Sequence, residues 1–133
     1  MKEYRNPSTV HAPLAGYTHQ IEITGQERIL MLSGQVGMDL PGNVPDKPAE
    51  QLALALDNLI LNLQAAEMET QDIVKLTIYL VTPIDREIRA EIMDEKLKGY
   101  HPCMTLIYVA GLAAPNLKVE IDAWASKSIQ PQV

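Results

Sequence analysis

The stretch HPCMTLIYVAGL, positions 101–112, constrains the fold more than any other because it carries no acid, lysine or arginine from end to end. Read as a strand, it sends Met104, Leu106 and Tyr108 to one face and Cys103, Thr105, Ile107 and Val109 to the other, since successive side chains leave a strand on opposite sides. A strand that is apolar on both faces needs cover on both. With 133 residues the chain fits one compact domain, 1–133, because a second would leave each part too small to bury a useful core. The cover must therefore come from the chain's own helices on one side and from another copy on the other.

Two helices are legible. From Pro48, a residue suited to a first helical turn, Leu52, Leu56, Leu59, Leu63 and Ala66 recur at three- and four-residue spacing as one apolar stripe. TPID (82–85) offers Thr82 as a cap with Pro83 in the first turn of a charged helix running to about Leu97. Strands are expected at YTHQIEI (17–23) and RILMLSG (28–34), joined by TGQE as an antiparallel hairpin. Between them and the first helix, QVGMDLPGNVPDKP reads as a long loop after a polar N-terminal arm. DIVKLTIYLV alternates Val74, Leu76, Ile78 and Leu80 against Lys75, Thr77 and Tyr79. The last two strands are MTLIYVAGL and LKVEIDAWA, the latter alternating Leu117, Val119, Ile121 and Ala123 against Lys118, Glu120, Asp122 and Trp124. The order ββαβαββ predicts a two-layer α+β domain, a small sheet backed by two helices. Such a sheet keeps one bare face, so the chain is expected to be an oligomer.

Charge and composition narrow the partners. The formal net charge is −6 and the eleven lysines and arginines are scattered, so no basic stripe can neutralise a phosphate backbone or an anionic membrane. A single cysteine forms no internal disulfide, and MKEYRNPSTV lacks the apolar centre of a secretory signal, which points to the cytoplasm. The segment LALALDNLILNLQAA is interrupted by Asp57, Asn58 and Asn62 and is too short to span a bilayer.

Few residues carry obvious chemistry. His11, His19, His101 and Cys103 show no recognised metal spacing, so neither metal nor cofactor is expected. His101 and Cys103 have the types of a nucleophilic pair, but Pro102 splays their side chains. SGQVG (33–37) resembles part of a phosphate-cradling loop yet lacks a following Gly-Lys-Ser/Thr. Glu120, among apolar neighbours on the terminal strand, is either a solvated edge carboxylate or, if partly buried, a group suited to handling a proton. Gln51 and Asn58, seven apart on one helical face, are placed to reach loop backbone in a structural role.

Taken together, SGQVGMD, Gln51 with LDNL, DIVKLTIYLV, HPCMTL and VEIDAWA resemble the YjgF-type family of reactive intermediate (imine/enamine) deaminases, also called L-PSP endoribonucleases. The likeness runs in order over positions 10–126. It implies a chorismate-mutase-like fold and a homotrimer whose sheets form a barrel, with three small-molecule clefts between subunits. It also implies Glu120 as the group that positions water, with Tyr17, Ser33 and Gly34 in the cleft and Cys103, Met104 and Leu106 as its strand wall. The family's deaminases hold the substrate carboxylate with an arginine two residues after the strand's proline, followed by a cysteine; here those positions are Met104 and Leu106. The family's asparagine on the second helix has no counterpart, for no Asn lies between Asn62 and Asn116. A wall stripped of its anchor is expected to take a less anionic ligand, unless Arg86 or Arg89 restores the charge from the second helix. Hydrolysis of a C=N compound and ligand binding without turnover are the competing expectations, with ribonuclease activity third.

Overall fold

The computed structural model describes residues 1–129. Its elements are β1 (Lys2–Arg5), β2 (Gln20–Ile23), β3 (Glu27–Val36), α1 (Pro48–Ala65), a 3-10 turn (Thr70–Asp72), β4 (Ile73–Leu80), α2 (Arg86–Leu97), β5 (Cys103–Tyr108) and β6 (Val119–Ser128). Four strands form one mixed sheet in the order β3-β6-β4-β5, with β4 and β5 parallel and the other pairs antiparallel. Both helices contribute to the core on one face of this sheet, which is the two-layer α+β architecture that the periodicities predict.

The apolar stripe of α1 drives that packing. Leu52, Leu56, Leu59 and Leu63 are fully buried against Leu76, Ile78 and Leu80 of β4 and Val119, Ile121 and Ala123 of β6. Each buried leucine contributes roughly 1.5–3 kcal/mol relative to an exposed one. The crossover from β4 to β5 runs through α2, which explains why these two strands are parallel. Met104 and Leu106 of β5 pack against the core as half-buried residues, while Ile107 and Tyr108 remain exposed. On the sheet face away from the helices Ile29, Met31 and Trp124 are also exposed, at 64%, 65% and 51%, so the bare face expected from the sequence is present.

Four local expectations are corrected. β2 and β3 do not form a hairpin ladder: β2 pairs with β1, from Lys2 opposite Ile23 to Arg5 opposite Gln20, and β3 pairs with β6. The TGQE segment bends the chain, with Gly25 at φ +85°, but a bend does not decide which strand pairs with which. The polar N-terminal arm thus contains a strand, Lys2–Arg5, and Arg5 bonds Gln20 and Glu22 across the β1–β2 ribbon. The cap of α2 is Asp85, not Thr82; its carboxylate accepts from the Ile88 N–H at 3.3 Å, and Pro83 lies before the helix. The last two strands are shifted, β5 ending at Tyr108 rather than Leu112 and β6 beginning at Val119 rather than Leu117.

Gln51 and Asn58 do tie loops to α1. Gln51 Nε2 donates to Pro45 O and Asn116 O at 2.8 and 2.9 Å, and its Oε1 accepts from the Lys118 N–H at 2.8 Å. Asn58 Nδ2 donates to Val36 O and Met38 O, each at 2.9 Å.

Candidate functional site

β5 is an edge strand, and α2 lies over its helix-side face. Between them is a cavity of about 400 Å³ walled by Met104 and Leu106 of β5, Ile78 of β4, and Arg86, Arg89, Ala90, Met93, Asp94 and Leu97 of α2. Ala15, Gly16, Tyr17, Tyr100 and His101 complete its lining. The helix contributes positions three and four apart, which is the stripe one face of α2 presents.

The segment before β2 is held to this mouth by the start of β5. Thr18 donates from its N–H to Pro102 O at 3.1 Å and from Oγ1 to His101 O at 2.6 Å. The Leu14 N–H donates to Tyr17 Oη at 3.1 Å, fixing the phenol at the rim. Gly16 packs on His101, where a Cβ would stand 3.1 Å from Nε2. Tyr100 Oη donates to Ile73 O at 2.6 Å, and burial pushes its phenol far above the usual range, so it stays a neutral donor. His101 Nε2 stands 3.8 Å from Asp94 Oδ1.

A second group of residues lies on the other face of the sheet. The ladder between β3 and β6 breaks so that Ser33 and Gly34 stand opposite Asp122 alone, a bulge that exposes both. Glu120 folds over Gly34, where an added Cβ would come within 2.5 Å of its Cδ, so only glycine leaves the carboxylate that position. Tyr79, paired with Glu120 in the ladder, donates to Asp122 Oδ2 at 2.9 Å. That bond, burial and the charges of Asp122 and Glu120 raise its phenol pKa. Lys75 Nζ donates to Thr105 Oγ1 at 2.6 Å on the same face.

The sequence-predicted residues therefore divide. Tyr17, Met104 and Leu106 meet in the helix-side cavity, whereas Ser33, Gly34 and Glu120 gather on the opposite face near the β3 edge. Cys103 alternates with Met104 and faces away from the cavity. Burial raises its thiol pKa despite the opposing influence of Lys75 and the Ile21 N–H, so the nucleophilic thiolate is disfavoured. Arg86 and Arg89 both line the cavity, together with Met93, Asp94 and Leu97, which the sequence had not singled out. Their spacing was visible, but which face of α2 met β5 was not. Among the described residues no group of three or more His, Cys, Asp or Glu side chains is placed to hold a metal ion, and no helix is long and apolar enough to cross a membrane.

The family model described as Endoribonuclease L-PSP matches residues 9–127. The chain belongs to this family. Among the relatives of this L-PSP protein, mouse 2-iminobutanoate/2-iminopropanoate deaminase is 33% identical over 122 residues, covering 89% of this chain and 87% of the relative. A RutC family protein of Buchnera aphidicola is 29% identical over 126 residues, 92% of this chain and 95% of its own. A solved Rid-family protein of unknown function from Yersinia pestis superposes with a TM-score of 0.81 at 28% identity, covering 93% of this chain and 97% of that one.

Proposed function

We propose that this Rid-family chain hydrolyses an imine, an enamine or a related small C=N compound other than the small 2-imino acids named for its mammalian relatives. The observation that carries the reading is the cavity of about 400 Å³ whose strand wall is Met104 and Leu106. Its size suits a small organic ligand. Water oriented by the Glu120 carboxylate would add to the C=N carbon as the nitrogen is protonated. Collapse of the resulting carbinolamine then breaks the C–N bond and leaves a carbonyl compound and ammonia. Tyr17 and Ser33 line the site, and no step calls for a cofactor.

Glu120 and the cavity lie on opposite faces of the sheet, so the reading joins residues of two copies of the chain, within the homotrimer that the family resemblance implies. The two halves of the site sit at the two unlike edges of the sheet, β5 and β3. A head-to-tail contact joins unlike edges, and three such contacts close a ring. Closing the ring as a barrel also covers Ile29, Met31 and Trp124. The partners in this reading are two further copies and a small molecule, in the cytoplasm, with neither nucleic acid nor membrane involved.

The test is ammonia release over a panel of imines by wild type, Met104→Arg and Met104→Arg/Glu120→Ala. Wild type should leave the alanine-derived imine nearly untouched, and Met104→Arg should raise that activity. The double variant should lose the gain. Robust wild-type turnover of that imine would refute the role given to Met104, and equal activity of the single and double variants would remove Glu120 from the mechanism. A second reading is a trimer that binds its ligand without turnover, favoured by the separation of Glu120 from the cavity within one chain. Ligand binding with no ammonia released from any imine would select it. Ribonuclease activity is disfavoured by the charge of −6 and the scattered cations.

A further inference from the structure

The cavity beside β5 has an uneven distribution of charge. Its body is apolar, built from Ile78, Ala90, Met93, Leu97, Met104 and Leu106. At the N-terminal end of α2 it carries two guanidinium groups, Arg86 and Arg89, three residues apart and hence on one helical face. Like charges at that spacing repel. Neither arginine takes part in any ion pair among the described residues. Each is steered by one backbone carbonyl: Arg86 Nη2 donates to Leu14 O at 3.0 Å, and Arg89 Nη1 to Ile84 O at 3.4 Å. A guanidinium has five N–H donors, so most of each fork is left for something else. The acid on the same wall, Asp94, is roughly 8 Å further along the helix axis at 1.5 Å per residue, and it stands by His101 instead. Arg89 is the more telling of the two because it is half-buried, where an unneutralised charge costs more than at the exposed Arg86.

We propose that this cavity binds an organic monocarboxylate with an apolar body, its anionic head held by Arg89 and Arg86 on α2 and its body laid along Met104 and Leu106. The charge missing from the strand is thereby supplied from the opposite wall, and the ligand lies with its head at the helix. A guanidinium fork matches the two oxygens of a carboxylate and binds it more strongly than it binds a neutral amide. A two-carbon acid would satisfy the arginines but leave the apolar wall uncovered, so preference should rise with chain length until the cavity is filled. This rests on the reading of the cavity as the ligand site; the position of the head, not the existence of the site, is what is added.

The experiment is calorimetric titration of the full chain at physiological ionic strength with hexanoate, hexanamide and acetate. It is repeated on Arg89→Gln, on Arg86→Gln/Arg89→Gln and on Met104→Trp. Wild type should bind hexanoate at least tenfold more tightly than either hexanamide or acetate. The double arginine variant should abolish the preference for hexanoate over hexanamide, and Met104→Trp should weaken both six-carbon compounds alike. Equal wild-type affinities for hexanoate and hexanamide would overturn the anchor while leaving the cavity as a site, as would a hexanoate preference that survives the double variant. Binding of neither six-carbon compound would overturn the anchor and the cavity reading together. Should the arginine variants fail to fold, the wild-type comparison of hexanoate with its amide still decides the matter.

Discussion

Replacing Gln51 by Leu removes one buried side chain and leaves three backbone groups without their partner. The amide is 1% exposed and joins Pro45 O and Asn116 O to the Lys118 N–H, so it ties the loop before α1 to the segment leading into β6. A net hydrogen bond of this kind contributes about 1 kcal/mol, and a buried group left unpaired costs about 1–3 kcal/mol. Leucine fills similar space and buries well, which offsets part of the loss. The expected destabilisation is about 2–4 kcal/mol. The assay is urea unfolding at fixed protein concentration, followed by the fluorescence of Trp124, the only tryptophan. Hydrogen exchange at the Lys118 amide supplies a local readout, since this donor should be protected in wild type and exchange freely in Gln51→Leu. A loss below about 1 kcal/mol with the Lys118 amide still protected would refute the tie, because the net worth of three hydrogen bonds would then be missing.

Further outcomes follow from other sites. Gly34→Ala should fold with wild-type stability because the flexible Glu120 carboxylate can swing away from the new Cβ, yet ammonia release should fall by about 100-fold as the carboxylate is misplaced; unchanged turnover on an intact fold would count against Glu120. Hydrogen bonds from Ser128, the Met1 amine and Ser126 lower the pKa of Glu27 from its usual 4.5 to about 2. A carboxyl depressed on folding adds stability above the unfolded value and loses it as pH falls toward the folded one, so stability should decline between about pH 4.5 and 2, with a shallower slope in Glu27→Gln. An identical slope in that variant would argue against the assignment. Trp124→Asp, which puts a charge in the exposed apolar patch, should convert a trimer to monomers in light scattering, and a wild-type chain that is monomeric at micromolar concentration would defeat the trimer outright. Submicromolar, salt-sensitive RNA binding is not expected from a chain of charge −6, and filter binding at two salt concentrations checks it.

Local pattern determined the elements of this protein, because helix and strand periodicities depend on residues close in sequence. The leucine stripe of α1, the alternation of Leu76, Ile78 and Leu80 in β4, and that of Val119, Ile121 and Ala123 in β6 all reappear as buried faces. The ordered motifs from SGQVGMD to VEIDAWA likewise carried the family, which the match over residues 9–127 bears out. Pairing was another matter. A segment such as TGQE reports a break between strands, but whether β2 takes β1 or β3 depends on which distant strand offers a better ladder, and the Arg5 contacts with Gln20 and Glu22 join positions 15 and 17 residues apart. The candidate site was legible only as residue types. A strand sends alternate residues to opposite faces, so parity separates Cys103 from Met104, but only the packing of α2 on β5 puts a cavity on Met104's side and turns Arg86 and Arg89 into it. Glu120 and Gly34 meet for the same reason: their sequence positions are far apart, and their contact exists because β3 and β6 pair antiparallel with a bulge where the glycine stands. Sequence fixes side-chain chemistry and local period; distances between side chains come from strand order and helix docking, which are set by burial summed over the whole core.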